Sequence, residues 1–249
     1  MFLPLVSLHC YFTLSYRNIM YFNIPLALDV FIFIFVFLCL YIASRNSIQA
    51  LYLVFHRLFH NDFIASSLIA LIFFPGTVIH ELSHFCMAIF LLLPVHKLSL
   101  LPQRKGNSLR LGYVLYEKKD ILRGILVGIA PIIVGLLLLW WLYAIEFFHA
   151  NILSIQLLKA YMMFVLTSTM FSSQQDLVDI GYLIPFIIVL VILFYIFNIN
   201  ILVIFQHKSF VEAIQNFMYS VTIYSSISLG IHIMTILICR SIIRLLHIH

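Results

Sequence analysis

The sequence predicts an all-α polytopic membrane protein of about six transmembrane helices, with a small β-hairpin close to a candidate metal site. Three observations carry that expectation. Hydrophobic residues make up 64% of the chain and charged residues 9%, far from the balance of a soluble domain. Apolar runs long enough to cross a hydrocarbon core of about 30 Å recur from one end of the chain to the other. One segment, 95–117, abandons that pattern and alternates polar with apolar residues.

Taken in order, the apolar runs lie at about 24–43, 64–93, 124–145, 153–171, 177–199 and 217–239. The first twenty residues carry one charge, Arg17, and lack both a basic start and a small-residue cleavage site. They read as an interfacial lead-in, with Met20 as an alternative start. Arg45 to Asp62 and Lys208 to Ser220 look amphipathic and are expected at the outer interface. Pro75-Gly76 interrupts the second run, and thirty helical residues would span about 45 Å, so a kink or a half-helix is expected there. Within 95–117, "VHKLSLL" and "SLRLGYVLYE" flank the turn-like "PQRKGN", which gives a β-hairpin; a plain basic loop is the alternative. An edge of such a hairpin could pair with an extended peptide. The runs leave no stretch for a separate soluble module, so residues 1–249 read as a single integral membrane domain.

The net charge of +5 is a topology signal. Lys97, Arg104, Lys105, Arg110, Lys118, Lys119 and Arg123 cluster between the second and third runs, which places that loop in the cytoplasm. Alternation through six spans then puts both termini on the cytoplasmic side. Small size and the lack of targeting signals favour the plasma membrane of a prokaryote. The basic residues form no continuous face, so the expected surroundings are the lipid bilayer, with no nucleic-acid partner. Cys10, Cys39, Cys86 and Cys239 are scattered without CxxC spacing, which indicates neither a disulfide framework nor a thiolate metal site.

The chemistry concentrates at His80-Glu81-Leu82-Ser83-His84, an HExxH motif inside the second apolar run. On a helix, positions i and i+4 lie about 40° apart, so both imidazoles face one way and can hold one metal ion. Glu81 falls beside them, placed to take a proton from water activated by the metal. Ionisable groups at membrane depth are costly and mark function by default. The bland alternative, a His-rich core helix, explains neither the spacing nor the glutamate. Zinc is the expected metal on grounds of ligand chemistry.

A catalytic zinc takes three protein ligands and leaves one position open, and the motif supplies two. An extended motif with a third histidine fails, because Phe90 occupies that position. Glu117 lies in the basic hairpin, while Glu146 and His149 fall on the outer side. Asp176 is the leading candidate and Asp179 the second; both lie in the polar break Ser172 to Asp179 between the fourth and fifth runs. Capping of the following helix is the ordinary role for such a residue.

These residues resemble the site-2 protease type of intramembrane zinc metalloprotease. The likeness covers about Phe74 to Asp176: "FPGTVIHELSHFCMAIFL", the hairpin after it, "GIAPIIVG" (Gly128 to Gly135) and a later aspartate near a membrane boundary. The resemblance implies a protease core at about 63–180 with one zinc per chain, held by His80, His84 and Asp176, and Glu81 as the general base. The substrate implied is a membrane protein or peptide, cut in or near a transmembrane segment. The family's aspartate commonly precedes glycine, whereas Asp176 precedes Leu177. A divalent-metal transporter without hydrolysis is the alternative, and Asp29 and His232 would be the only plausible further residues for its path.

Overall fold

A computed structural model describes the backbone of residues 3–100, 103–105, 108–110, 112–117, 119–145, 147, 153–171, 183–197 and 207–246, and most side chains from Leu26 on. Among the described residues there are six helices: α1 (Leu3–Phe59), α2 (Asp62–Phe90), α3 (Ile121–Ala144), α4 (Leu153–Thr169), α5 (Leu183–Ile196) and α6 (Lys208–Leu246). Four strands, β1 (Val95–Ser99), β2 (Gln103–Lys105), β3 (Ser108–Arg110) and β4 (Tyr113–Tyr116), lie between α2 and α3. The helical class and the hairpin both appear. Four segments are long and apolar enough to cross a membrane: Leu26–Phe59, Asp62–Phe90, Ile121–Ala144 and Lys208–Leu245. Helices α4 and α5, of 17 and 14 residues, reach only about 26 and 21 Å at 1.5 Å per residue, so length alone supports four spans of the six expected.

The two amphipathic stretches belong to longer helices. Arg45 to Asp62 is not a separate element: α1 runs unbroken to Phe59, and its small polar residues face inward, with Ser44 and Ser47 buried. Lys208 to Ser220 is likewise the first part of the 39-residue α6, packed through Val211, Met218 and Ser220. Helices α1 and α6 lie side by side and run in the same direction. Asp29 meets Gln215 at 3.3 Å, Ser47 meets His232 at 2.8 Å, and Ala50 and Val54 pack on Cys239. Strict alternation of six spans would set the first and last antiparallel, so that simple scheme does not describe this pair.

Helix α1 ends where His60 takes φ 51°, a left-handed turn that lets the chain reverse. Asn61 then caps α2, its side-chain oxygen accepting from the amides of Phe63 at 2.8 Å and Ile64 at 3.4 Å. Asp62 accepts from the Tyr52 hydroxyl at 2.7 Å, which ties the two helices at the bend. The half-helix expected at Pro75 is not found, since α2 continues through it. Pro75 offers no amide to the Leu71 carbonyl, and the next carbonyl, that of Ile72, accepts from the Tyr161 hydroxyl of α4 at 2.7 Å. Past Phe90, Leu92 adopts φ 55°, and the amides of Leu92 and Leu93 bond to the carbonyls of Ile89 and Ala88 at 2.9 Å each. This is a Schellman turn, and it launches β1.

The strands form one antiparallel hairpin in two stretches. β1 pairs with β4, from Val95 opposite Tyr116 to Ser99 opposite Tyr113, with an irregularity between Val95 and Lys97. β2 continues against β3, with Gln103 opposite Arg110 and Lys105 opposite Ser108. Pro102, Gly106 and Asn107 of the expected turn lie outside the described residues. The hairpin returns to Asp120, which caps α3 by accepting from the Arg123 amide at 2.8 Å. Arg123 Nη1 donates to the Leu91 carbonyl at 3.2 Å, so α3 starts beside the end of α2 and runs back along it.

Candidate metal centre

The HExxH motif lies on one buried turn of α2. His80 is 5% exposed and Glu81 and His84 are each 8% exposed, in a helix whose lipid-length segment is otherwise apolar. The neighbouring hydroxyls are consumed locally: Thr77 donates to the Phe73 carbonyl at 3.1 Å and Ser83 to the Ile79 carbonyl at 2.6 Å. Among the described residues, the side-chain nitrogens that converge here are those of His80 and His84.

The i, i+4 spacing does what helix geometry requires. His80 Nε2 and His84 Nε2 stand 3.1 Å apart, with ring centroids 4.7 Å apart and planes 89° to each other. His84 Nδ1 lies 2.8 Å from the Val127 carbonyl oxygen of α3. A carbonyl can only accept, so Nδ1 carries the proton, and in the neutral ring Nε2 is left with its lone pair. Two imidazole nitrogens about 2.0–2.1 Å from one zinc ion at a near-tetrahedral angle are about 3.3 Å apart, close to the observed spacing. The donor set fits such an ion. The same spacing fits a direct N–H···N bond, with His80 the donor.

Glu81 is walled by the hairpin. A Cβ placed on Gly112 would lie 2.7 Å from Glu81 Cγ and 3.1 Å from Oε1, so the chain entering β4 presses against the glutamate side chain. Below the motif, a Cβ on Gly76 would lie 2.7 Å from Val165 Cγ1 and would also strike Thr169, so α4 packs directly on the α2 backbone one turn before His80. Gly135 of α3 meets Met170 in the same way, at 3.0 Å. Two glycines thus bring the end of α4 against the motif helix α2 and against α3. Phe171, the last described residue of this stretch, packs edge-on to Phe37 and Tyr41, and its carbonyl accepts from Arg45 at 3.5 Å.

Asp176 and Asp179, with Ser172, Ser173, Gln174 and Gln175, lie outside the described residues. Among the described residues no group of three His, Cys, Asp or Glu could hold a metal ion. Glu117 is exposed at the foot of the hairpin, where its amide bonds to the Pro94 carbonyl at 3.0 Å, away from the motif. Cys86 is exposed, as its turn around the helix from His84 requires.

Sequence reasoning missed the contacts of Val127, Gly112, Gly76 and Tyr161, three of which act through backbone or the lack of a side chain. Under the alternative transport reading it named His232 as a further polar residue. His232 is fully buried, with Nδ1 2.8 Å from Ser47 Oγ and Nε2 3.1 Å from Thr167 Oγ1, which itself meets Ser228 Oγ at 2.6 Å. This polar clasp joins α1, α4 and α6. Comparison with known proteins returns no match: no family model, no curated protein and no solved structure is similar to the chain.

Proposed function

We propose that the protein is an intramembrane zinc metalloprotease, hydrolysing peptide bonds in or near transmembrane segments of membrane proteins. The observation that carries this reading is the pair of Nε2 atoms 3.1 Å apart within an apolar helix, beside a buried glutamate one residue after the first histidine. His80 and His84 are two ligands; Asp176 is the proposed third, with Asp179 behind it. Supporting that choice, α4 lies against the motif helix where Val165 and Thr169 meet Gly76, and Asp176 is seven positions past Thr169 in sequence. A zinc ion at this centre would supply Lewis-acid polarisation of the scissile carbonyl and ease the ionisation of water.

The remaining steps belong to the chain's own residues. Glu81 takes the proton of the attacking water and passes it to the leaving amine, so that one water is consumed and one C–N bond is broken. The Val127 carbonyl keeps His84 in one tautomer and orientation throughout. The hairpin at Gly112 fixes one side of the Glu81 carboxylate. A substrate helix hides its carbonyls in its own hydrogen bonds and must unwind locally before attack. Divalent-cation transport has less support, because His232 spends both ring nitrogens on hydroxyls and Asp29 is held by Gln215.

The test is cleavage of a quenched-fluorescent single-span peptide with a Gly-Ser break at its centre, co-reconstituted with the protein in liposomes. Cleavage by wild type, its loss on chelation, its return with zinc, and a fall of roughly 10²-fold or more in Glu81→Gln are expected. A Glu81→Gln variant as active as wild type would remove the glutamate from the mechanism.

A further inference from the structure

In an α-helix the carbonyl of residue i accepts from the amide of residue i+4. Four residues after Val127 stands Pro131, inside α3, and proline has no amide hydrogen. The carbonyl that His84 Nδ1 approaches at 2.8 Å is therefore the one in this turn that the helix itself cannot serve. Val127 and Pro131 are both buried, so water cannot take the vacant acceptor either, and an unpaired carbonyl there would be costly.

We propose that Pro131 is a positioning residue for His84: by withholding a backbone donor it keeps the Val127 carbonyl open for the His84 Nδ1–H, which assigns His84 Nε2 as the metal-binding nitrogen. The arrangement explains a proline inside a span. Proline is the least favourable residue in a helix interior, and here that cost secures an acceptor within reach of a neighbouring helix. Histidines that bind metals commonly donate their other ring N–H to such an acceptor, which fixes the tautomer and raises ligand basicity. Pro75 provides the contrast: the carbonyl it leaves without an amide donor is that of the exposed Leu71, and not one that a motif histidine meets.

The functional half of this inference rests on the metalloprotease reading; the structural half does not. The experiment is Pro131→Ala, with Pro75→Ala as control, read by ¹⁵N NMR of the His84 ring in metal-free protein and by zinc affinity from competition with a fluorescent chelator. Alanine at 131 supplies the missing amide and raises helix propensity, so folding is favoured. The expected result is a His84 ring that shifts from Nδ1–H alone to a tautomer mixture, with zinc bound roughly 10- to 100-fold more weakly. Pro75→Ala should match wild type in both. An unchanged His84 tautomer in Pro131→Ala would overturn the proposal, and so would a changed tautomer with unchanged zinc affinity. A wild type that binds no zinc would instead defeat the metalloprotease reading, while the tautomer measurement would still decide the role of Pro131.

Discussion

Gly112 lies so close to Glu81 that a single added methyl group would sit 2.7 Å from the glutamate Cγ. The hairpin is thus more than a loop between two helices: its inner end is one wall around the side chain proposed to move the proton. A displacement of about 1 Å in a catalytic group can cost on the order of 10²-fold in rate. Gly112→Ala should therefore lower kcat by roughly 10- to 100-fold with KM and zinc content near wild type. Gly230→Ala, where nothing lies within 4 Å, is the control. Steady-state cleavage of the reporter peptide checks this, and an unimpaired Gly112→Ala would show that the contact does not set the carboxylate.

Gly76 governs the packing of α4 on α2. Its hydrogen faces Val165 and Thr169, so Gly76→Val must drive the helices apart or strain both. The expected loss is about 1–3 kcal/mol, with Gly76→Ala intermediate. Unfolding in mixed micelles by denaturing detergent measures it, and equal stability of all three proteins would contradict the packing described.

The His232 clasp predicts a smaller effect of different form. Hydrogen bonds between helices in membranes average about 0.6 kcal/mol, and Ser47 and Thr167 can fall back on carbonyls of their own helices, Ser44 at 2.8 Å and Met163 at 2.8 Å. His232→Leu should cost about 1–2 kcal/mol and leave zinc content unchanged. Combining it with Thr167→Val should cost less than the sum of the two single changes, because both remove the same bond. Strict additivity in the same unfolding assay would mean that the side chains are not coupled.

The membrane class, the motif and the hairpin were legible because each has a local signature: apolar runs, i, i+4 spacing, and alternation around turn-forming residues. The hairpin bounds at Val95 and Tyr116 differ by no more than one residue from the expected 95–117. The partners of the motif were not legible, because Val127 acts through its backbone and Gly76 and Gly112 act through the absence of a side chain. Pro131 was visible in "GIAPIIVG", yet only the packing of α3 on α2 shows that the carbonyl it leaves open faces His84. The packing of the inward side of Arg45 to Asp62 was not legible for the same reason. Ser44, Arg45 and Ser47 give the stretch a polar face, and a sequence pattern cannot distinguish a face that meets headgroups from one that meets His232 and the Phe171 carbonyl. The parallel course of α1 and α6 is a long-range property with no local signal.

The central claim is a three-ligand zinc centre, and the direct measurement is zinc per chain in detergent-purified protein. Wild type should be compared with His80→Ala, His84→Ala, Asp176→Ala, Asp179→Ala and Glu81→Gln. The account predicts close to one zinc in wild type, in Glu81→Gln and in Asp179→Ala, with loss in both histidine variants and in Asp176→Ala. A wild type without metal, or variants of His80 and His84 that keep it, would contradict the account at its centre.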